Sequence, residues 1–236
     1  MNRTAVVTGG SSGVGRATAL RLVKEGWHVA IVGTRAGALD ETIKLSGKAE
    51  QMLACPCDIG DAEAVAEMAK RVAAKWGFVE LLVAAAGTNT PNRSLEKLAL
   101  EDYRKVIDAN LNGAYYCAQA FLPAMRENKR GTIVIVNSIA GLKASGLSGV
   151  SYVMSKFGAA GLVQSINAEE NKHGVRATSV FPGDINTPLL DKRPNPPAKE
   201  LRVNMLQPDD VTDCVMLAVN LPERVVVDEI IVRPRG

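Results

Sequence analysis

Short apolar runs rich in β-branched residues alternate with longer amphipathic stretches along nearly the whole chain, and few folds accommodate that alternation. The runs are Thr4 to Thr8, Val29 to Val32, Met52 to Cys55, Leu81 to Ala85, Thr132 to Val136 and Ala177 to Val180. Each has the length of a strand and is too short for a helix. Between them, apolar residues recur at spacings of three and four over 14–25, 37–46, 61–76, 100–127, 151–173 and 208–220, which predicts helices. Glu229 to Val232 predicts a late strand after the last helix. Strands apolar on both faces need cover on both sides. The pattern therefore predicts an α/β fold, a doubly wound parallel sheet of about seven strands with right-handed crossovers and helices on both faces.

Composition supports one globular unit spanning 1–236. Hydrophobic residues are 47%, charged residues 22% and aromatics 4% of the 236 residues, which argues against a disordered or fibrous chain. The net charge of +3 is dispersed, with no basic run longer than two residues, so no nucleic-acid partner is expected. Lys192-Arg193 and Arg233-Pro234-Arg235 read as solvated surface. The apolar run at Met1 to Val7 is too short for a secretion signal, and no segment approaches the roughly 18 apolar residues of a membrane span. Cys55, Cys57, Cys117 and Cys214 lack paired metal spacing, so free thiols, no metal site and a cytoplasmic location are expected. The one irregular stretch carries five prolines among residues 182–197, and 184–206 is expected to form a substrate loop or lid.

Thr8-Gly9-Gly10-Ser11-Ser12-Gly13-Val14-Gly15-Arg16 follows the first strand and opens the first helix. Glycine there lets the backbone turn and approach a pyrophosphate, while the helix N-terminus offers free N–H groups and the positive end of its dipole. The spacing is GxxxGxG, through Gly9, Gly13 and Gly15. A site selective for NAD places a carboxylate about 20 residues further on. Gly33-Thr34-Arg35 has none. Arg35 and Arg16 are instead candidates to hold a 2′-phosphate, with Thr34 at the discriminating position, so NADP(H) is expected rather than NAD(H).

Tyr152 and Lys156 stand four residues apart in a helical pattern and share its face. A nearby ammonium favours phenolate and lowers a tyrosine pKa from about 10, which suits acid/base work on a carbonyl oxygen. Alone, such a pair also fits an exposed helix face, a serine at a strand end such as Ser138 also fits a turn, and Asn110 also fits a cap or a polar core position.

In this order the residues resemble the classical short-chain dehydrogenases/reductases. Thr8 to Gly15 matches that family's TGxxxGxG. Asp58-Ile59, Ala86-Gly87, Asn110, Ser138, Tyr152 with Lys156, and Pro182-Gly183 with Thr187 follow at the matching places. The resemblance implies a Rossmann-type fold and hydride transfer between nicotinamide and a carbonyl or secondary alcohol, for example a 3-oxoacyl-type or other ketone. Its catalytic set is Asn110, Ser138, Tyr152 and Lys156: Ser138 holds the carbonyl, Tyr152 donates the proton, Lys156 binds the nicotinamide ribose, and Asn110 interrupts its helix and holds a water on the proton route. The implied cofactor residues are Gly9, Ser11, Ser12, Gly13, Val14, Gly15, Thr34, Arg35, Asp58, Ile59, Ala85, Ala86, Gly87, Tyr152, Lys156, Pro182, Gly183, Ile185 and Thr187.

Two departures are plain: Ala84-Ala85 where the family commonly carries an Asn pair, and the C-terminal Val232-Arg233-Pro234-Arg235-Gly236 in place of a glycine-rich end. Leu142, Ser145, Leu147, Leu189 and Leu190 are candidates to line a mostly apolar substrate pocket. The small Ala159, Ala160 and Gly161 are expected to let another copy's helix approach, giving a homotetramer or a dimer. The competing reading is a catalytically silent NADP-binding regulatory protein on the same fold.

Overall fold

In a computed structural model, which describes residues 3–235, the expected strands form one sheet. In chain order the elements are β1 (Thr4–Thr8), α1 (Gly13–Lys24), β2 (His28–Gly33), α2 (Ala36–Ser46), β3 (Met52–Pro56), α3 (Ala62–Trp76), β4 (Leu81–Ala84), α4 (Leu100–Ile107), α5 (Gly113–Glu127), β5 (Gly131–Val136), α6 (Val150–Glu170), β6 (Val175–Pro182), α7 (Pro208–Asn220) and β7 (Glu229–Val232). The sheet has seven strands in the order β3-β2-β1-β4-β5-β6-β7, and every pairing is parallel. Among the described residues, no helix is long and apolar enough to cross a membrane.

Alternate strand residues enter opposite layers, as a pleated sheet requires. Val6, Leu82 and Ile133 pack with Met68, Cys117, Phe121 and Val163 from α3, α5 and α6. Ala5, Val7 and Val83 pack with Leu22, Leu39, Val211 and Val215 from α1, α2 and α7. After β3 the chain returns to place β4 beside β1. Crossovers on the two sides of this reversal run in opposite directions, which opens a crevice above the carboxyl ends of β1 and β4.

One refinement of the sequence reading and three differences from it bear on the site. The helical pattern over 100–127 is broken, at the Asn110 where the resemblance implies an interruption, by a wide π-helical turn, Asp108–Asn112, because the Asn110 side chain bonds to backbone elsewhere. β6 runs beyond Ala177–Val180 at both ends, since Arg176 is buried and its guanidinium donates to the carbonyls of Pro222, Leu221 and Val225. The 184–206 stretch holds two short 3-10 helices, Pro188–Lys192 and Lys199–Asn204, that show no apolar period. Finally, Ala159 and Ala160 are buried within the chain; of the three small residues only Gly161 has open space beside it.

β7 pairs with β6 only from Ser179 onward. Before that point the Asn167 side chain of α6 takes the missing strand's place, accepting from the Ala177 N–H at 2.7 Å and donating to its carbonyl at 2.9 Å. Asn167→Ala leaves both buried groups unpaired and should lower unfolding stability by about 2–4 kcal/mol, read from urea midpoints.

Candidate functional site

The turn after β1 is shaped by contacts that only glycine permits. Gly9 has φ +70°, and a Cβ on it would stand 2.9 Å from the Ala85 carbonyl carbon. A Cβ on Gly15 would lie 2.4 Å from the Gly9 carbonyl oxygen. Gly13, at φ +53°, packs against the Thr187 methyl group. Ser12 makes no side-chain cap and no acidic residue occupies the first turn of α1, so the helix presents uncapped N–H groups.

These N–H groups face a cleft of about 1070 Å³. Gly9, Ser11, Ser12, Gly13, Val14 and Gly15 line its floor. Thr34, Arg35, Asp58 and Ile59 line one side, and Ala85, Ala86 and Gly87 the other. Tyr152, Lys156, Ile185 and Thr187 complete it, with Lys105, which the sequence did not mark, and Lys192, which was expected on solvated surface. The Ala86 N–H donates to the Thr8 hydroxyl at 3.1 Å, which holds the end of β4 where the family's Asn pair is absent. Arg35 is exposed and its Nη2 reaches the Ser11 hydroxyl at 3.3 Å. Arg16 does not line the cleft. Its guanidinium is bound to the Ser11 carbonyl at 2.7 Å, the Thr42 hydroxyl at 2.9 Å and Glu41 at 2.8 Å, which corrects its assignment as a phosphate ligand.

Ser138, Tyr152, Lys156 and Asn110 come from three separate segments of the chain and gather at one end of this cleft. Ser138 follows β5 in extended backbone and its Oγ accepts from the Ala140 N–H at 3.1 Å. Tyr152 lies in the first turn of α6. Lys156, one turn on and 4% exposed, donates to the Val136 carbonyl at 3.0 Å and lies 5.7 Å from the Tyr152 ring centroid. Asn110 accepts from the Thr88 N–H at 2.7 Å and donates to the Ser155 hydroxyl at 3.1 Å. Gly87 separates Asn110 from Lys156: a Cβ there would lie 3.5 Å from Asn110 Oδ1 and 3.9 Å from Lys156 Nζ. Asn137 was missed in the sequence, although a polar residue closing a β-branched strand was the available signal. It is buried and donates to the Lys156 carbonyl at 3.1 Å, fixing α6 to the end of β5.

The electrostatics differ from expectation. Burial raises the Tyr152 pKa. A hydrogen bond with Ser138 opposes this most, then the charges of Arg193 and Arg93, while Asp184 adds to the rise. The charges of Arg193 and Arg93 thus act on the phenol from the substrate side, while the Lys156 ammonium, bonded to the Val136 carbonyl, lies 5.7 Å from its ring. Burial pushes Lys156 itself down to about 8.

A second cavity of about 890 Å³ adjoins the cleft and shares Asn137, Tyr152, Ile185, Thr187 and Leu189 with it. Ser138, Leu142, Ser145, Leu147 and Leu190 line it. So do Pro182 and Gly183, which the sequence reading assigned to the cofactor. Their turn is fastened to β7 by the Gly183 N–H, which donates to the Val232 carbonyl at 2.8 Å. Arg233 and Pro234 form its C-terminal edge, and Arg93, unmarked by any sequence motif, lines its wall.

The sequence model of the family described as short chain dehydrogenase matches residues 3–197. The chain is similar to sepiapterin reductase of Chlorobaculum tepidum, 33% identical over 99% of this chain and 97% of that one. It is similar also to 2-dehydro-3-deoxy-L-rhamnonate dehydrogenase (NAD(+)) of a Sphingomonas species, 35% identical over 81% and 76%. Among solved structures, alcohol dehydrogenase from the archaeon Thermococcus sibiricus, complexed with 5-hydroxy-NADP, superposes with a TM-score of 0.88 at 28% identity, covering 100% of this chain and 97% of that one.

The depressed Lys156 pKa makes a prediction about stability. The folded protein holds this ammonium at about 8 against an ordinary 10.5, so between those pH values the unfolded chain binds the proton more tightly. The burial penalty is present in full below pH 8 and is relieved as pH rises toward 10.5. The stability of Lys156→Met relative to wild type should be highest near pH 7 and decline by on the order of 3 kcal/mol by pH 10.5, measured by urea unfolding of both proteins across that range.

Proposed function

The chain belongs to the short-chain dehydrogenase family and is an oxidoreductase, and on that premise we propose that it moves a hydride between a nicotinamide dinucleotide and a carbonyl or secondary alcohol held beside Tyr152. The observation that carries this reading is the meeting of Ser138, Tyr152 and Lys156 where two cavities join. One cavity suits a dinucleotide. It has the glycine cradle that a Cβ would fill, the uncapped start of α1 and cationic walls at Arg35, Lys105 and Lys192. The other is mostly apolar and suits a small organic substrate.

When bound, the nicotinamide supplies or accepts the hydride. The chain's own residues handle the oxygen. In the reducing direction the Ser138 hydroxyl donates a hydrogen bond to the carbonyl oxygen and Tyr152 gives that oxygen its proton, leaving a phenolate. Lys156, Arg193 and Arg93 favour the phenolate charge against the burial that raises the phenol's pKa. Asn110, beside Lys156 across Gly87, holds the route by which the proton is replaced. Residues 184–206 act as a lid on the one domain, since Lys192 already reaches from this stretch to the Thr88 hydroxyl at 2.6 Å. The complete Ser138, Tyr152 and Lys156 set favours turnover over a silent regulatory role.

NADP(H) is the proposed cofactor. No carboxylate stands at Gly33 or Thr34, and Arg35 lines the cleft at the end of β2, in position for the 2′-phosphate. The alcohol dehydrogenase solved with 5-hydroxy-NADP supports this choice, whereas the rhamnonate relative is an NAD(+) enzyme. The reading includes a homo-oligomer, tetramer or dimer, built on the exposed Tyr115, Met154 and Phe157 of α5 and α6, with light scattering as its measure.

Tyr152→Phe should keep the fold and cofactor affinity while turnover falls by about 10² or more; near-normal turnover on an accepted ketone would refute the acid/base role. Steady-state kinetics should give a higher kcat/KM with NADPH than with NADH. Thr34→Asp, which sets a carboxylate against the phosphate, should reverse that order.

A further inference from the structure

We infer that the substrate held beside Tyr152 carries a carboxylate, and that Arg93 is its counter-ion. The inference deepens the oxidoreductase reading and rests on it for the identity of the reacting carbonyl.

Arg93 is 6% exposed, and a guanidinium removed from water needs an anion or a full set of acceptors. Its Nε donates to the Thr90 carbonyl at 2.7 Å, Nη1 to the Leu147 carbonyl at 3.1 Å and Nη2 to the Lys192 carbonyl at 2.5 Å. Carbonyls orient the group without neutralising it. Among the described residues no carboxylate pairs with it, whereas Arg3, Arg126, Arg193 and Arg202 each hold one. Three of the five N–H bonds of a guanidinium are used, so two are open.

Arg176 shows how this chain buries an arginine for purely structural ends. It is 7% exposed, bonds to four carbonyls at the end of α7 and to the Thr132 hydroxyl, and lines neither cavity. The negative end of the α7 dipole and the carboxylates of Glu223 and Glu80 oppose its positive charge. Arg93 has fewer acceptors, of which only the Lys192 carbonyl closes a helix, the short 3-10 turn Pro188–Lys192, and it forms part of a cavity wall.

That wall belongs to the substrate side alone. Arg93 does not line the cleft that suits the dinucleotide, so a cofactor phosphate is not its partner. The charged residues around the substrate cavity are Arg93, Lys143, Arg193 and Arg233 against Asp184, and Asp184 is already bound by Arg193. An anion entering here meets excess positive charge beside apolar Leu142, Leu147 and Leu190. The Arg93 stem lies against Gly149, where a Cβ would stand only 2.5 Å from the Arg93 Cβ. The start of α6, three residues before Tyr152, is thus shaped around this arginine. A planar carboxylate matches the two open N–H bonds of a guanidinium fork better than a neutral oxygen does.

The test compares pyruvate, acetoacetate and levulinate with their methyl esters as substrates for wild type, Arg93→Gln and Arg93→Lys, each checked for folding by circular dichroism. Wild type should prefer the best oxo acid over its ester by about tenfold or more in KM. Arg93→Gln should abolish that preference by raising the KM of the acid at least about tenfold more than that of the ester, apart from any fall in kcat that acid and ester share through Tyr152; Arg93→Lys should keep part of the preference. A purely structural arginine would depress acid and ester alike, and that result, or a wild type that turns over esters as well as acids, overturns the inference. Calorimetry with malonate reads the same site without turnover. Wild type should bind it, and Arg93→Gln, or Arg93→Lys if the first does not fold, should bind it at least about fivefold more weakly; no binding by wild type overturns the inference. Failure to reduce any ketone with either cofactor while malonate still binds through Arg93 would refute the oxidoreductase reading and leave the anion site standing.

Discussion

Where β1 ends, the Gly9 backbone lies so near the end of β4 that a Cβ would stand 2.9 Å from both the carbonyl carbon and the oxygen of Ala85. The approach occurs where the strand order reverses between β1 and β4, the place at which a doubly wound sheet leaves a crevice. Gly15 repeats the constraint from the other side, since its Cα faces the Gly9 carbonyl at a distance no side chain would tolerate. The two contacts set the height of the α1 N-terminus above the sheet, and with it the floor of the cleft. The Thr8 hydroxyl adds a hydrogen bond to the Ala86 N–H, so small alanines at β4 are compatible with a well-held strand end.

Opposite that floor the site depends on how α6 is fastened. Asn137 ties the helix to the end of β5 through the Lys156 carbonyl, and the Lys156 ammonium returns to the carbonyl of Val136 on the same strand. Asn110 reaches Ser155 from the π-helical turn between α4 and α5. These bonds hold Tyr152 and Lys156 against a wall drawn from three separate chain segments. Buried polar groups cost stability unless paired, so a network this far from solvent fixes geometry as well as composition.

The same burial governs the charges. It lowers Lys156 and raises Tyr152, moving both away from their charged forms. Arg93 and Arg193 oppose the rise at Tyr152 from the substrate side. The phenol therefore sits between a lysine held for the cofactor side and arginines held for the substrate side, and its acidity depends on what occupies each.

The alternation of apolar runs and amphipathic stretches was enough to determine a parallel sheet with helices on both faces, because each run must hide two apolar faces and only flanking helices do that. The glycine spacing and the Tyr152–Lys156 separation were equally legible, since backbone clearance and helical periodicity are local properties. Other features were decided only when distant segments met. The family resemblance implies a break in the helix at Asn110, but the partners that make it, Thr88 and Ser155, lie far along the chain and carry no local signal. Arg16 and Arg35 look alike in sequence, yet Thr42 and Glu41 of α2 hold one away from the cleft while the other stays on it. Pro182 and Gly183 went to the second cavity because β7, formed by residues almost fifty positions later, holds their turn. Arg93 carries no sequence signal at all; three carbonyls from separate loops give it its place. Local sequence prescribes which way a backbone can run, while the partners of a buried charge are set by the packing of elements that the sequence keeps apart.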